Sequence, residues 1–146
     1  MTRMFRGSWL LAAIALLATV APAQNHIVIQ VLDGNTGNPI ADRHLTVYAG
    51  DSPDAVLHRK IYLQALTNKL GLASLAIPPA AKWLQVLPDW LTLCQDHPTG
   101  KTFSADEIVS SGIAAPNNCS TLVRKADPGQ FVLFARKPTA KEEFKH

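Results

Sequence analysis

The feature that most constrains this chain is an apolar pattern of period two, repeatedly cut by turn-forming clusters. Ile27, Ile29 and Val31 point one way while Val28, Gln30 and Leu32 point the other, which reads as a strand. It stops at Asp33-Gly34-Asn35-Thr36-Gly37-Asn38-Pro39, residues that tolerate left-handed or fixed backbone angles. Pairing is expected to resume around His44 to Tyr48, through a hairpin or a tight strand connection. The polar stretch from Gly50 to Asp54 reads as a solvated loop before a third run, Val56 to Leu66, interrupted by His58-Arg59-Lys60, so one of its faces must be wet. Asn68-Lys69-Leu70-Gly71 is the next turn. Leu72 to Ile77 alternates again and ends at Pro78-Pro79, because neither proline can donate to a ladder. Lys82 to Leu87 and Gln130 to Arg136 complete the strands, and short strands separated by turn signals point to an all-β sandwich.

One segment breaks this pattern. Ser104 is placed as an N-cap with Glu107 three residues on, ahead of Ile108 and Val109, so a short helix ending near Gly112 is expected. That helix lies between the only two cysteines, Cys94 and Cys119. Two cysteines in an exported chain allow one intramolecular pairing, and a bridge closing a loop of this length contributes about 3 to 4 kcal/mol when unstrained. A redox or nucleophilic role is the sharper alternative, but there is no C-x-x-C and no cation or histidine beside Cys119 to depress a thiol pKa.

Export itself is read from the N-terminus. Arg3 and Arg6 precede an apolar run from Trp9 to Leu17 and then Ala21-Pro22-Ala23, the order of a secretory signal peptide with cleavage expected before Gln24. The run falls short of the ~20 residues of a bilayer-spanning helix, so no membrane span is expected after cleavage. Losing Arg3 and Arg6 takes 14 basic and 11 acidic residues to 12 and 11, a net charge of +1. The remaining charges are scattered, with no Lys/Arg stripe interleaved with aromatics, which argues against nucleic acid as a partner. The expected organisation is a signal peptide over 1–23, one domain over 24–137 and a tail over 138–146, with Thr139 and Glu142 a second cap pair and the tail frayed or docked by Phe144. The expected localisation is secreted or periplasmic.

The residues Val31-Leu32-Asp33, Thr36-Gly37-Asn38-Pro39-Ile40, Leu45-Thr46-Val47, Thr67-Asn68, Gly71 and Leu75-Ala76-Ile77 resemble a transthyretin-like or carboxypeptidase-regulatory-like module. The resemblance covers Ile27 to Leu87, with Gly129 to Arg136 as a final strand. It implies a prealbumin-like (Ig-like) β-sandwich of about seven strands, to which the disulfide-closed insert with its short helix is an addition. A related family hydrolyses 5-hydroxyisourate, but this chain departs from it at each motif position. Gln30 stands where that family has a histidine, Leu72 follows Gly71 where it has an arginine, and the chain ends Glu143-Phe144-Lys145-His146. An amide at Gln30 cannot act as a general base, so a small-substrate hydrolase is the disfavoured alternative.

No catalytic residue, metal ligand or cofactor is expected. His26, His44, His58, His97 and His146 show no ligand spacing, although His44 and His58 could face each other on neighbouring strands. The carboxylates of Asp51 and Asp54 lack the number and spacing of a calcium loop. The aromatic positions carry the best hint of a surface. Trp83 and Trp90 bracket an apolar strand ending at Pro88; core packing is the ordinary fate of such residues, but Trp90 exposed beside Tyr62 or Phe103 would make a docking patch. The function expected is a non-enzymatic binding or structural module whose partner, not identifiable from sequence, is a protein or an envelope glycan.

Overall fold

The computed structural model describes residues 24–96 and 100–143. The segment expected to be a signal peptide, His97, Phe144 and His146 therefore lie outside the described residues. The chain is mostly β, and its first strand, β1 (Asn25–Asp33), follows the alternation of its sequence, with Ile27, Ile29 and Val31 fully buried. The turn that follows is as tight as its composition predicts: Asp33 Oδ1 accepts from the N–H groups of Asn35 and Thr36, and Gly37, at φ 75, donates to the Asp33 carbonyl.

The turn does not make a hairpin. The next strand, β2 (His44–Gly50), lies in a different sheet, and only a single bridge, Leu32 to Pro39, pairs the two sides of the turn. The chain is diverted because Ile40 donates back to the Val31 carbonyl, and because Thr67, almost wholly buried, ties the crossing segment down. Its Oγ1 donates to the Ile40 carbonyl and accepts from the Arg43 N–H.

The run from Val56 to Leu66 is likewise not one strand. Val56 and Leu57 belong to a one-turn helix, α1 (Pro53–Leu57), and the strand β3 (Ile61–Leu66) begins after it. The signal for that helix was present in the supposed loop. Ser52 caps it through the Ala55 N–H, Pro53 opens it and Asp54 sits in the first turn. Arg59, at φ 54, then reverses the chain into β3.

Strands β4 (Leu72–Ile77) and β5 (Trp83–Pro88) follow the expected runs. After them come the two-residue strands β6 (Thr92–Leu93) and β7 (Phe103–Ser104), the helix α2 (Ala105–Ser111), and a third two-residue strand, β8 (Ile113–Ala114). Ser104 caps α2 and Gly112 ends it, as the sequence predicts. The last strand is β9 (Gln130–Arg136), and a short helix, α3 (Ala140–Glu143), closes the described chain.

The strands form two sheets. One has the order β4-β1-β9-β6, with β8 beside the other end of β9; the second has the order β3-β2-β5-β7. Ile27, Ile29, Leu75, Phe131 and Leu133 of the first sheet share one core with Leu45, Val47, Leu84 and Val86 of the second. Burying such a side chain stabilises the fold by about 1.5–3 kcal/mol. The uninterrupted apolar run Phe131-Val132-Leu133-Phe134-Ala135 is explained by burial on both faces of β9. Phe131 and Leu133 face the shared core, while Val132 and Phe134 face a second, smaller cluster with Leu32, Cys94 and Ala126.

The disulfide between Cys94 and Cys119 holds that second cluster in place. Its Cα atoms are 5.2 Å apart across 25 residues of chain. Asn117 adds to the clamp, its Nδ2 donating to the carbonyls of Gly34 and Leu122 while its Oδ1 accepts from the Cys119 N–H. Gly34 must be glycine for this to close, since a Cβ there would sit 2.4 Å from the Cys94 sulfur.

Candidate functional site

The four aromatic residues singled out from sequence are dispersed by the fold. Phe103 pairs with Leu84 and turns inward, its ring centroid 4.7 Å from that of the fully buried Phe131. Trp83 is half-buried at the same end of β5, opposite Ser104. Tyr62 is 63% exposed on β3, separated from β7 by the two strands β2 and β5. Trp90 follows the other end of β5, where Pro88 pairs with Leu45, about 13 Å further along the strand than Leu84. Of the four, Phe103 is turned into the core and Trp90 lies beyond the opposite end of β5 from Trp83. His44 and His58 are also apart: His44 is opposite Leu66 on β2, whereas His58 ends α1, with its Nδ1 2.7 Å from the Asp54 carbonyl oxygen.

Trp90 itself is placed as a site residue would be. Its side chain is 87% exposed, the largest exposure of any large hydrophobic residue described, and its backbone has φ 59. A left-handed conformation in a bulky residue costs about 1–3 kcal/mol and persists only where the surroundings enforce it. Here the Asp89 N–H donates to the His44 carbonyl and Leu91 packs against the shared core, so the chain is pinned on both sides of Trp90.

The indole overhangs an open cleft of about 720 Å³ formed with Arg43, Thr92, Lys137, Pro138 and Glu143. That volume is in the range of small-ligand sites, about 300–1,000 Å³. Its far wall is fixed by a two-pronged ion pair: Arg136 Nη1 and Nη2 lie 2.8 Å from Glu142 Oε2 and Oε1. The hydrogen bonds from Arg136, reinforced by the Thr139 N–H, hold the Glu142 carboxyl down at about 2, and the same pair raises the Arg136 pKa. Both carboxylate oxygens of Glu142 are thereby occupied. Arg43 is differently placed. Its backbone is held by Thr67, and its buried Nε has no hydrogen-bond partner among the described residues.

A smaller concavity of about 220 Å³ lies over the disulfide, between Asn35, Gln95, Asn118 and Arg136. Gln95 is 9% exposed, and its Oε1 accepts from the Lys101 N–H. Asn118 donates to Asp96 beside it.

Sequence reasoning picked out Trp90 but missed Arg43, Arg136 and Lys137. A capping pair at Thr139 and Glu142 was legible, and Glu142 does accept from both the N–H and the hydroxyl of Thr139. What joins it to Arg136 is the return of the tail against β9, which no local pattern encodes. Compared with protein-family models, with curated proteins and with solved structures, the chain matches none of them.

Proposed function

We propose that the chain is an exported, non-enzymatic binding module that contacts an envelope glycan through the cleft beneath Trp90. The observation that carries the reading is the solvent-facing indole, held in a strained backbone conformation on the rim of a cleft that has an apolar lip and a charged wall. A flat aromatic face covers the C–H face of a sugar ring, while Arg43, Lys137 and Glu143 offer charged groups to hydroxyl and carboxylate substituents. The intramolecular disulfide supports an oxidising compartment, and with it secretion or a periplasmic location. The two sheets about a shared core support a prealbumin-type sandwich as the scaffold.

The test is titration of the purified protein with soluble envelope glycan fragments, following tryptophan fluorescence and heat of binding. Trp90→Ala is expected to weaken binding by about 30-fold, as for an aromatic anchor worth ~2 kcal/mol, with the melting temperature preserved. Equal affinity in wild type and Trp90→Ala would sink the reading. Trp and Arg are also the residue types that dominate protein interfaces, so a protein partner is the second reading. Capture of an envelope protein by wild type but not by Trp90→Ala, without glycan binding, would favour it.

A further inference from the structure

Among the described residues, five of the seven large hydrophobic side chains exposed to solvent fall within one short stretch: Leu57, Ile61, Tyr62, Leu66 and Leu70. That stretch is β3 and its flanks, and β3 is the edge of its sheet, paired only to β2. Edges of this length are ordinarily blunted by a charge, a proline or a bulge. Within Ile61–Leu66 there is no proline and no Asp, Glu, Lys or Arg. The nearest cation, Lys60, is exposed just before the strand begins, Arg59 is turned back over the Tyr48 ring at 4.8 Å, and α1 packs on β2 and β5 rather than over the edge. The corresponding edge of the other sheet, β4, places Leu75 and Ile77 in the core and presents Ser74 to solvent.

Hydrogen-bond parity shows which groups the edge offers. Thr67 donates to the Arg43 carbonyl, so in an antiparallel ladder Ala65, Leu63 and Ile61 also direct their backbone groups to β2. The backbone N–H and C=O of Tyr62, Gln64 and Leu66 are thereby directed away from the sheet. The side chains of the same three residues are exposed on its outer face.

We propose that this edge binds a second copy of the chain, β3 against β3 in antiparallel register about Gln64. In that register each outward residue exchanges both backbone hydrogen bonds with its counterpart. Gln64 meets Gln64, an amide that can both donate and accept, while Tyr62 meets Leu66 on each side of the axis, an aromatic–aliphatic cross-strand pair. The contact is isologous and closed, as a two-fold dimer requires, and joins two four-stranded sheets into one. A second copy is favoured over a charged peptide because the strand carries no ionic group to hold such a ligand in register. It sets no ionic group against its own twin.

Sedimentation equilibrium of the purified protein tests this, together with the variants Gln64→Pro and Gln64→Cys. Wild type is expected to show a concentration-dependent monomer–dimer equilibrium. Gln64→Pro removes only an outward N–H, so it is expected to keep the fold and weaken dimerisation at least tenfold. Gln64→Cys places two thiols on the axis, where Cα atoms of a hydrogen-bonded pair lie about 5.5 Å apart, within disulfide reach. It is expected to form covalent dimers under mild oxidation far faster than Ser74→Cys on the β4 edge. A wild type that stays monomeric up to roughly millimolar concentration, a dimer unaffected by Gln64→Pro, or equal cross-linking rates for the two cysteine variants would each overturn the proposal. If Gln64→Pro misfolds, the cross-linking comparison decides alone.

Discussion

Strands β9 and β3 are both apolar, and the molecule treats them in opposite ways. β9 is buried on both faces, with β1 on one side, β6 and β8 on the other, and the disulfide-clamped loop over Val132 and Phe134. β3 has one partner, an inner face that is only half-buried at Leu63 and Ala65, and an outer row left in solvent. The insert between Leu87 and Gly129 explains the difference. It covers β9, and its Gly100 carbonyl accepts from Gln85 on β5, whereas the elements packed most closely on β3 are β2 and β4. The same apolar character therefore means core where the chain supplies a cover and contact surface where it does not.

The comparison breaks if the two strands respond alike to substitution. The largest expected effect is Phe134→Ala, which empties the centre of the smaller cluster and should destabilise the protein by about 3–5 kcal/mol in denaturant unfolding. Replacing Cys94 and Cys119 together by alanine should cost about 3 kcal/mol, read in the same way, and should loosen the Asn117 clamp measured by amide exchange at Cys119 and Leu122. Leu66→Lys on the open edge should change monomer stability by no more than about 0.5 kcal/mol. A cost like that of Phe134→Ala would mean that the β3 edge is not a free surface.

Two further measurements sharpen the picture at the Trp90 end. Trp90→Gly removes the strained left-handed side chain and should raise stability by about 1 kcal/mol while weakening binding in the cleft as Trp90→Ala does. The smallest effect concerns acid. The Glu142 carboxyl is held down at about 2 by Arg136 and Thr139, below the ordinary 4.5. A depressed folded-state value contributes stability that is present above the unfolded value and is lost as pH falls through the folded one. The ion pair should accordingly hold at pH 4 and let go as pH approaches 2, seen as loss of the Thr139 and Glu142 amide shifts in NMR spectra.

Much of this architecture was legible in the sequence where local rules decide. The alternation at Leu72–Ile77, the stops at Pro78 and Gly112 and the cap at Ser104 each depend on neighbours within a few residues. Two errors came from reading apolar content without length or caps. Val56 and Leu57 continue the apolar run toward β3, but Ser52-Pro53-Asp54 had already committed them to a helical turn. Asp33 to Pro39 makes the tight turn expected, yet whether the chain then pairs back or crosses to another sheet is set by Thr67, 27 residues after Ile40. The site was less legible than the fold. Trp90 stood out by type, but its φ of 59 follows no glycine or asparagine signal, and the groups around it come from the segment before β2, from β6 and from the tail.

The parallel pairing of β1 with β9 sets the order in which the molecule can be completed. Val28 through Asp33 lie beside Gln130 through Ala135, so the central ladder of the larger sheet joins nearly the first described residues to nearly the last. Whether the chain emerges from a ribosome or from a translocation pore, amino end first, β1 must wait with one flank bare until about a hundred further residues have arrived. Such a polypeptide stays threadable for most of its delivery and locks only at the end.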